Sequence, residues 1–368
     1  MIASNLSNTP ETQDEIRKAF ETSEKKALIA AIEESRKKTW LYAGIGSGIV
    51  FFTVLLVAGL LVKSGFGWLL GAVAGAITGG TILAVSLGSF RVNTKRRINA
   101  HILPELVRIV LGKDAVYEPG AGFSRPFLNT IRAFPVNILD QTDRIHGTYE
   151  GVPFMCADVK SFHYETHSTG KSTYTTVVTD FLGTVFVFRF NKPSKAILRI
   201  VEKGFPSSLF MSGKSTKIET ESIDFNNRFK TYANDEHQAL YVMTPQNIMA
   251  FLDAQSLVKG KELYIIDNDK LIVVCSGATV SLGANFSGRF DDRDIMKMAD
   301  QLVPLKGFVK TLRLDNTYWD DIAKLQSFTA ESLLKKYGGP GKDGNRNMFT
   351  GRNGQFGGLI RDLWDSDD

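Results

Sequence analysis

Two uncharged runs decide the architecture of this chain: Trp40–Val62, WLYAGIGSGIVFFTVLLVAGLLV, and Ser64–Phe90, SGFGWLLGAVAGAITGGTILAVSLGSF. Lys63 is the only charged residue from Trp40 to Phe90. A bilayer core about 30 Å thick needs roughly 20 apolar residues of helix, so each run is long enough to cross it. The runs read as a transmembrane helical hairpin, and the remaining chain divides around them. Residues 1–39 form a cytoplasmic amphipathic helical arm, 40–90 the hairpin and 91–112 a juxtamembrane helix. Residues 113–337 form a cytoplasmic α+β domain, and 338–368 a flexible Gly-rich tail.

Charge sets the orientation. Arg36, Lys37 and Lys38 precede the first run, and Arg91, Lys95, Arg96 and Arg97 follow the second, against Lys63 alone between them. Lys and Arg accumulate on the cytoplasmic side, so the expectation is a two-pass protein of the inner (plasma) membrane with both termini cytoplasmic. Trp40, Tyr42 and Trp68 sit at the run ends, where amphipathic rings favour the interface. The polar residues 1–39 before the first run argue for an uncleaved anchor over a signal peptide. Gly44 and Gly48, then Gly71, Gly75 and Gly79, recur at four-residue spacing, which lets helix backbones approach closely. Packing of the hairpin on itself is favoured over assembly between chains. Neither run holds Asp, Glu, Lys, Arg or His, so the pair reads as an anchor and not as a transport path.

The 368 residues are 43% hydrophobic and 23% charged with a formal net charge of +5. Outside the hairpin and tails about 240 residues remain, enough for one large domain or two small ones. The basic excess belongs partly to the juxtamembrane clusters and does not point to nucleic acid. Cys156 and Cys275 both lie in apolar, strand-like runs, where a buried free thiol is the expectation. There is no CxxC pair and no structural zinc signature.

In the arm, Thr9 suits an N-cap and Pro10 the first helical position, with Ile16, Phe20, Leu28 and Ile32 near one face. Its acidic first half favours packing on protein over lying on the membrane. Lys95–Leu111 continues as helix, kinked near Pro104 and stopped by Gly112. Residues 114–140 read as a loop with short helical turns. Strands are expected at Arg144–Tyr149, Val152–Tyr164, Tyr174–Asp180, Phe181–Phe190, Ala196–Val201, Lys217–Ser222, Phe229–Tyr232 and Ala239–Met243. Thr244-Pro245 starts a helix to about Leu257, and Asp267-Asn-Asp-Lys270 between two apolar runs reads as a hairpin turn. Residues 291–337 are mostly helical, interrupted at Pro304 and Gly307, with Asp315 or Asn316 capping a last helix that ends at Gly338-Gly-Pro340. Leu359–Trp364 is a short apolar patch in the tail.

Four motifs occur in order behind the hairpin: Phe181-x-Gly183-x-x-Phe186-x-Phe188, Thr220-Glu-Ser-Ile-Asp-Phe-Asn-Asn-Arg-Phe229, Ala239-Leu-Tyr-Val-Met-Thr-Pro245 and the Asp267-Asn-Asp turn. Together they resemble a bacterial membrane-anchored family catalogued as domain of unknown function 3137, over roughly residues 95 to 315 and the hairpin. The resemblance implies no activity and supplies no catalytic residues. Its positions also read as architecture, with Phe181, Phe186, Phe188, Phe225 and Phe229 as core aromatics and Gly183 as a bulge or close backbone approach.

No catalytic, cofactor or metal site is assigned from the sequence, and no cofactor is expected. Gly170-Lys171-Ser172 and Gly213-Lys214-Ser215 imitate a phosphate loop, but Glu165 and Ser208 stand where its first glycine belongs. His163, Glu165 and His167 share a strand face, yet successive same-face side chains lie nearly 7 Å apart, wide for one ion. Glu221 and Asp224 beside Arg228 read as a surface ion pair. The leading functional reading is a non-enzymatic, membrane-tethered module that binds a protein partner or itself, with the bilayer held through residues 40–90. A lipid or small-ligand binding domain is the alternative, and an enzyme built on Glu221, Asp224 or Asp235 the third reading. The expected fold is α+β, the hairpin followed by a largely antiparallel sheet with covering helices. A pleckstrin-like barrel is the other candidate, although the helix after Pro245 falls between strands.

Overall fold

The structure, a computed structural model, describes residues 10–21, 23–62, 65–170, 172–206, 215–277 and 292–314. Thr9, Lys63, Lys171, Gly213-Lys214, the helix expected after Asp315 or Asn316 and the Leu359–Trp364 patch lie outside them. So do the side chains of Leu28 and Arg91.

Helix α1 (Pro10–Phe20) leads into α2 (Ser23–Val62), which runs without interruption from the charged arm through the first apolar run. α3 (Gly65–His101) returns antiparallel and carries the second. Both are long and apolar enough to cross a membrane, and their apolar windows are only 6% and 17% buried. A core helix of a soluble domain would hide such a window, whereas lipid can cover it. Close packing along the hairpin depends on the α3 glycines. A Cβ on Gly71 would stand 3.0 Å from Leu55 Cα, on Gly75 2.9 Å from the Phe51 carbonyl oxygen, and on Gly79 2.9 Å from that of Ser47. Gly44 and Gly48 meet nothing within 4 Å, so the glycine spacing on α2 does not serve this contact.

After α3 the chain turns at Ile102 into α4 (Leu103–Leu111), with Pro104 in its first turn, where no amide donor is required. Gly112 stops it at φ 106. Strand β1 (Val116–Glu118) and α5 (Arg125–Ile131) precede the long strands β2 (Ile138–Tyr149), β3 (Val152–Ser168) and β4 (Thr173–Glu202). β5 (Thr216–Ile218), α6 (Ile223–Arg228), β6 (Phe229–Ala233), α7 (Glu236–Val242) and α8 (Pro245–Ala254) follow. β7 (Lys261–Ser276), α9 (Asp292–Asp300) and α10 (Val303–Thr311) end the described fold.

The seven strands make an open antiparallel sheet ordered β1-β2-β3-β4-β6-β5, with β7 along β4. No pairing among the described residues closes it into a barrel. One face carries Ile145, Phe154, Cys156, Phe186, Phe188 and Val273 under the helices, and the other packs Val159, Phe181, Val185 and Val274 against α5. α4 alone buries Leu103, Leu106, Val107, Val110 and Leu111, each worth about 1.5–3 kcal/mol of apolar burial. Ile16 and Phe20 of the arm, with Ile32 and Ile98 of the hairpin helices and Ile102 at the turn into α4, enter the same core as the sheet. The arm therefore packs on protein.

Four sequence expectations fail. Ala239–Met243 is helical, not a strand. Asp235 caps α7 by accepting from the Gln238 amide, and the buried members Ala239 and Met243 lie four apart, which is helical spacing. Asp267-Asn-Asp-Lys270 makes no hairpin. β7 runs straight through and pairs with β4 from Leu263↔Val201 to Ser276↔Gly183. Asn268 takes φ 56, but β4 absorbs the irregularity as a register shift between Arg189 and Leu198. The segments expected as three strands between Tyr174 and Val201 are thus one, which changes partner along its length. Gly307 does not interrupt α10 but lets Leu257 approach, since a Cβ there would lie 2.7 Å from its Cδ2.

Candidate functional site

Beyond the sheet, β3 and β4 continue as a two-stranded ribbon. The last β2 partner on β3 is Phe162, and the first β7 partner on β4 is Gly183. On one ribbon face His163, Glu165 and His167 engage each other and their neighbours. His163 Nδ1 lies 2.8 Å from Asp180 Oδ1 and its Nε2 3.2 Å from Glu165 Oε1. His167 Nε2 lies 3.7 Å from Glu165 Oε2 and 3.1 Å from the Thr176 hydroxyl, and its ring stacks on Tyr174. The Glu165 hydrogen bond raises the His163 pKa above its usual range, desolvation opposes it, and Asp180 adds a further rise. Among the described residues no group of three such side chains is arranged to hold a metal ion. On the opposite face Tyr164 sits across from Val177, 59% and 55% exposed, while most aromatics of the sheet are buried.

The other residues singled out by sequence do not converge. Asp224 occupies the first turn of α6 and Asp235 caps α7, both exposed, as is Glu221. No ion pair among the described residues joins Arg228 to Glu221 or Asp224. Arg228 instead donates to Gln255 Oε1 at 3.1 Å, because it points from the end of α6 toward the end of α8. Gly170 adopts φ 78 at the ribbon tip, a turn and not a strand-to-helix phosphate loop.

That Arg228 contact opens onto a network that the sequence did not announce. Gln255 donates to Glu202 Oε1 at 2.7 Å, Lys261 donates to the same oxygen at 2.6 Å, and the Glu262 amide donates to Oε2 at 3.0 Å. Glu262 is 1% exposed, accepts from the Tyr264 hydroxyl through Oε2, and leaves Oε1 without a partner. Burial pushes its carboxyl up to about 8, with Glu202 adding to the rise and Tyr264 opposing it. A second network links the Tyr117 hydroxyl to Asp143 Oδ1 at 2.5 Å and Arg144 to Glu118 Oε2 at 2.6 Å. Both networks lie among buried strands, where they fasten elements together. Alternating strand patterns could have flagged Glu202 and Glu262 only if their inward register had been known.

At the base of the hairpin a polar crevice of about 360 Å³ opens between α2 and α3, bounded by Ser35, Thr39, Ser86, Ser89, Arg96 and Arg97. A second cavity of about 360 Å³ shares Ser35, Thr39 and Ser86 and reaches Tyr42 and Ile82. The glycine contacts set its height. Gly79 meets Ser47 and Gly75 meets Phe51, so α3 advances four residues as α2 retreats four. Ser86 is thereby level with Trp40, at the end of the apolar run.

Fold and site define a class: an α+β domain built onto a helical hairpin, with a projecting ribbon and a polar crevice where the two meet. The family model described as protein of unknown function (DUF3137) matches residues 179–314, from β4 through α10, so this stretch is a domain of unknown function. No curated protein matches the chain. Among solved structures, the mycobacterial trehalose monomycolate transport factor A, TtfA, is similar with a TM-score of 0.31 and 11% identity. That alignment covers 54% of this chain and 88% of that one, and so low a score carries no argument.

Proposed function

We propose that this protein is a membrane-anchored, non-enzymatic interaction module. Residues 40–90 hold the bilayer, the termini and the α+β domain lie on the cytoplasmic side, and a protein partner or a second copy docks on the β3–β4 ribbon. The ribbon carries this reading. Its residues 163–168 and 173–180 contribute little to the core, yet they present Tyr164 and Val177 to solvent on one face and a His–Glu ladder on the other. Exposed apolar side chains backed by polar ones suit a docking surface more than a folding need. The separate, exposed positions of Glu221, Asp224 and Asp235 support the non-enzymatic half of the reading.

The test places a photo-crosslinking residue at Tyr164 in the full chain in native membranes, with the still more exposed Tyr241 on α7 as control. A discrete adduct from position 164 that Val177→Asp abolishes is the expected result, and its mass separates a partner from a second copy. Adducts that are equal from both positions, or absent from 164, would remove the ribbon from this role.

A further inference from the structure

We propose that the crevice between α2 and α3 is a binding site for the phosphate of an anionic lipid headgroup. Three observations converge on it. The first is charge: Arg96 and Arg97 line the crevice, both exposed, and among the described residues no carboxylate pairs with either. By contrast, two neighbouring cations of α2 are committed, Arg36 to Glu33 at 3.1 Å and Lys38 to Glu34 at 2.7 Å. The second is donor chemistry: Ser35, Ser86, Ser89 and Asn93 bring hydroxyl and amide groups to the same cavity. Guanidinium forks with short hydroxyl donors match the oxygens of a phosphate ester, and arginine supplies them in bidentate geometry.

The third is depth. Ser86 is level with Trp40, and Trp40 and Tyr42 are 52% and 66% exposed at the end of an apolar run, where such rings mark the membrane interface. From there the crevice continues toward Arg96 and Arg97, away from the apolar run, and its apolar margin is Tyr42, Ile82 and Phe90. A lipid standing in the leaflet would place acyl chains along that margin and its phosphate among the arginines. A free phosphate ion satisfies the same donors but has no use for the margin, so the lipid is the occupant we infer. The proposal is independent of the ribbon, and either can fail alone.

The experiment uses the full chain in detergent micelles with phosphatidylglycerol or phosphatidylcholine added, and reads retained lipid by native mass spectrometry. Wild type should retain phosphatidylglycerol in preference to phosphatidylcholine. Arg96→Gln with Arg97→Gln should weaken that retention about tenfold or more, given the usual effect of two basic residues at an anionic surface. Lys37→Gln with Lys95→Gln, which removes two charges of the same juxtamembrane clusters but outside the crevice lining, should change it little. Equal loss in both double variants would mean diffuse surface attraction and overturn the site. Arginine-dependent retention of inorganic phosphate by a chain that retains no phosphatidylglycerol would assign the arginines to a free anion and overturn the lipid. Ser86→Val guards against misfolding as the explanation. It keeps both arginines, should also weaken retention, and unchanged retention in it would exclude the crevice.

Discussion

Glu262 is the residue on which the chemistry of the core turns. Its carboxyl is buried with one oxygen unpartnered and titrates near 8, against an ordinary value of 4.5. Below 4.5 both folded and unfolded chains hold the proton. Between 4.5 and about 8 the folded chain keeps a proton that the unfolded chain releases, so stability falls as pH rises through that window and levels off above it. Glu262→Gln removes the titrating group. Thermal melting in detergent at pH 5 and pH 9 should show the variant gaining roughly 2–4 kcal/mol on wild type at the higher pH. Equal offsets at the two pH values would mean that this carboxyl is not the source. Gly183 fails for a steric reason. A Cβ there would lie 2.0 Å from the Cys275 carbonyl oxygen and 2.8 Å from Phe181 Cζ, so backbone must move. Gly183→Ala should cost roughly 3 kcal/mol, or leave no folded protein, where an ordinary glycine in a strand would gain from alanine.

At the scale of elements, the two helices of the hairpin use their glycines unequally. Gly75→Leu drives a side chain into the Phe51 carbonyl, while Gly44→Leu adds one to open space. Melting of the detergent-solubilised chain should fall by several degrees for the first and hardly at all for the second. A reversed order would mean that the α2 glycines, not those of α3, face a neighbour. Much of this level was legible in the sequence. Apolar run length located α2 and α3, and alternation located the second half of β2, most of β3 and the first half of β4, while Ile138–Asp140 of β2 fell within the expected loop. Thr244-Pro245 also starts α8 as expected, with the Thr244 hydroxyl accepting from the Asn247 amide. Five residues at Ala239–Met243 are too few to separate a two-residue from a 3.6-residue period when all are apolar, so α7 was misread as a strand.

Across the whole molecule, the apolar hairpin and the sheet share one core. Phe20, 5% exposed, belongs to the same buried cluster as Phe186 and Phe308, and α1 packs on α4 and α9. Phe20→Ala should therefore loosen a domain that begins some ninety residues later in the chain. A loss of roughly 3 kcal/mol is expected, read by hydrogen exchange as faster amides in α4 and α9. Exchange confined to α1 would show the arm to be an independent appendage. The continuity also bears on the proposed function, because a domain fastened to both hairpin helices holds its ribbon and crevice at set positions along the hairpin.

The sequence by itself determined what depends on composition and local period: the apolar hairpin, the antiparallel α+β character and the buried phenylalanines at 181, 186, 188, 225 and 229. These follow from near neighbours along the chain, whose burial preference or spacing is written in a few residues. Tertiary structure alone decided the pairings between distant segments. It turned Asp267-Asn-Asp-Lys270 from a hairpin turn into the middle of β7, since the same left-handed asparagine serves either, and the choice fell to register with β4. It sent Arg228 to Gln255 and not to Glu221 or Asp224, and it buried Glu202 and Glu262 together. It also stacked Arg96 and Arg97 above Ser86 across from Ser35, because a crevice between two helices belongs to neither helix alone.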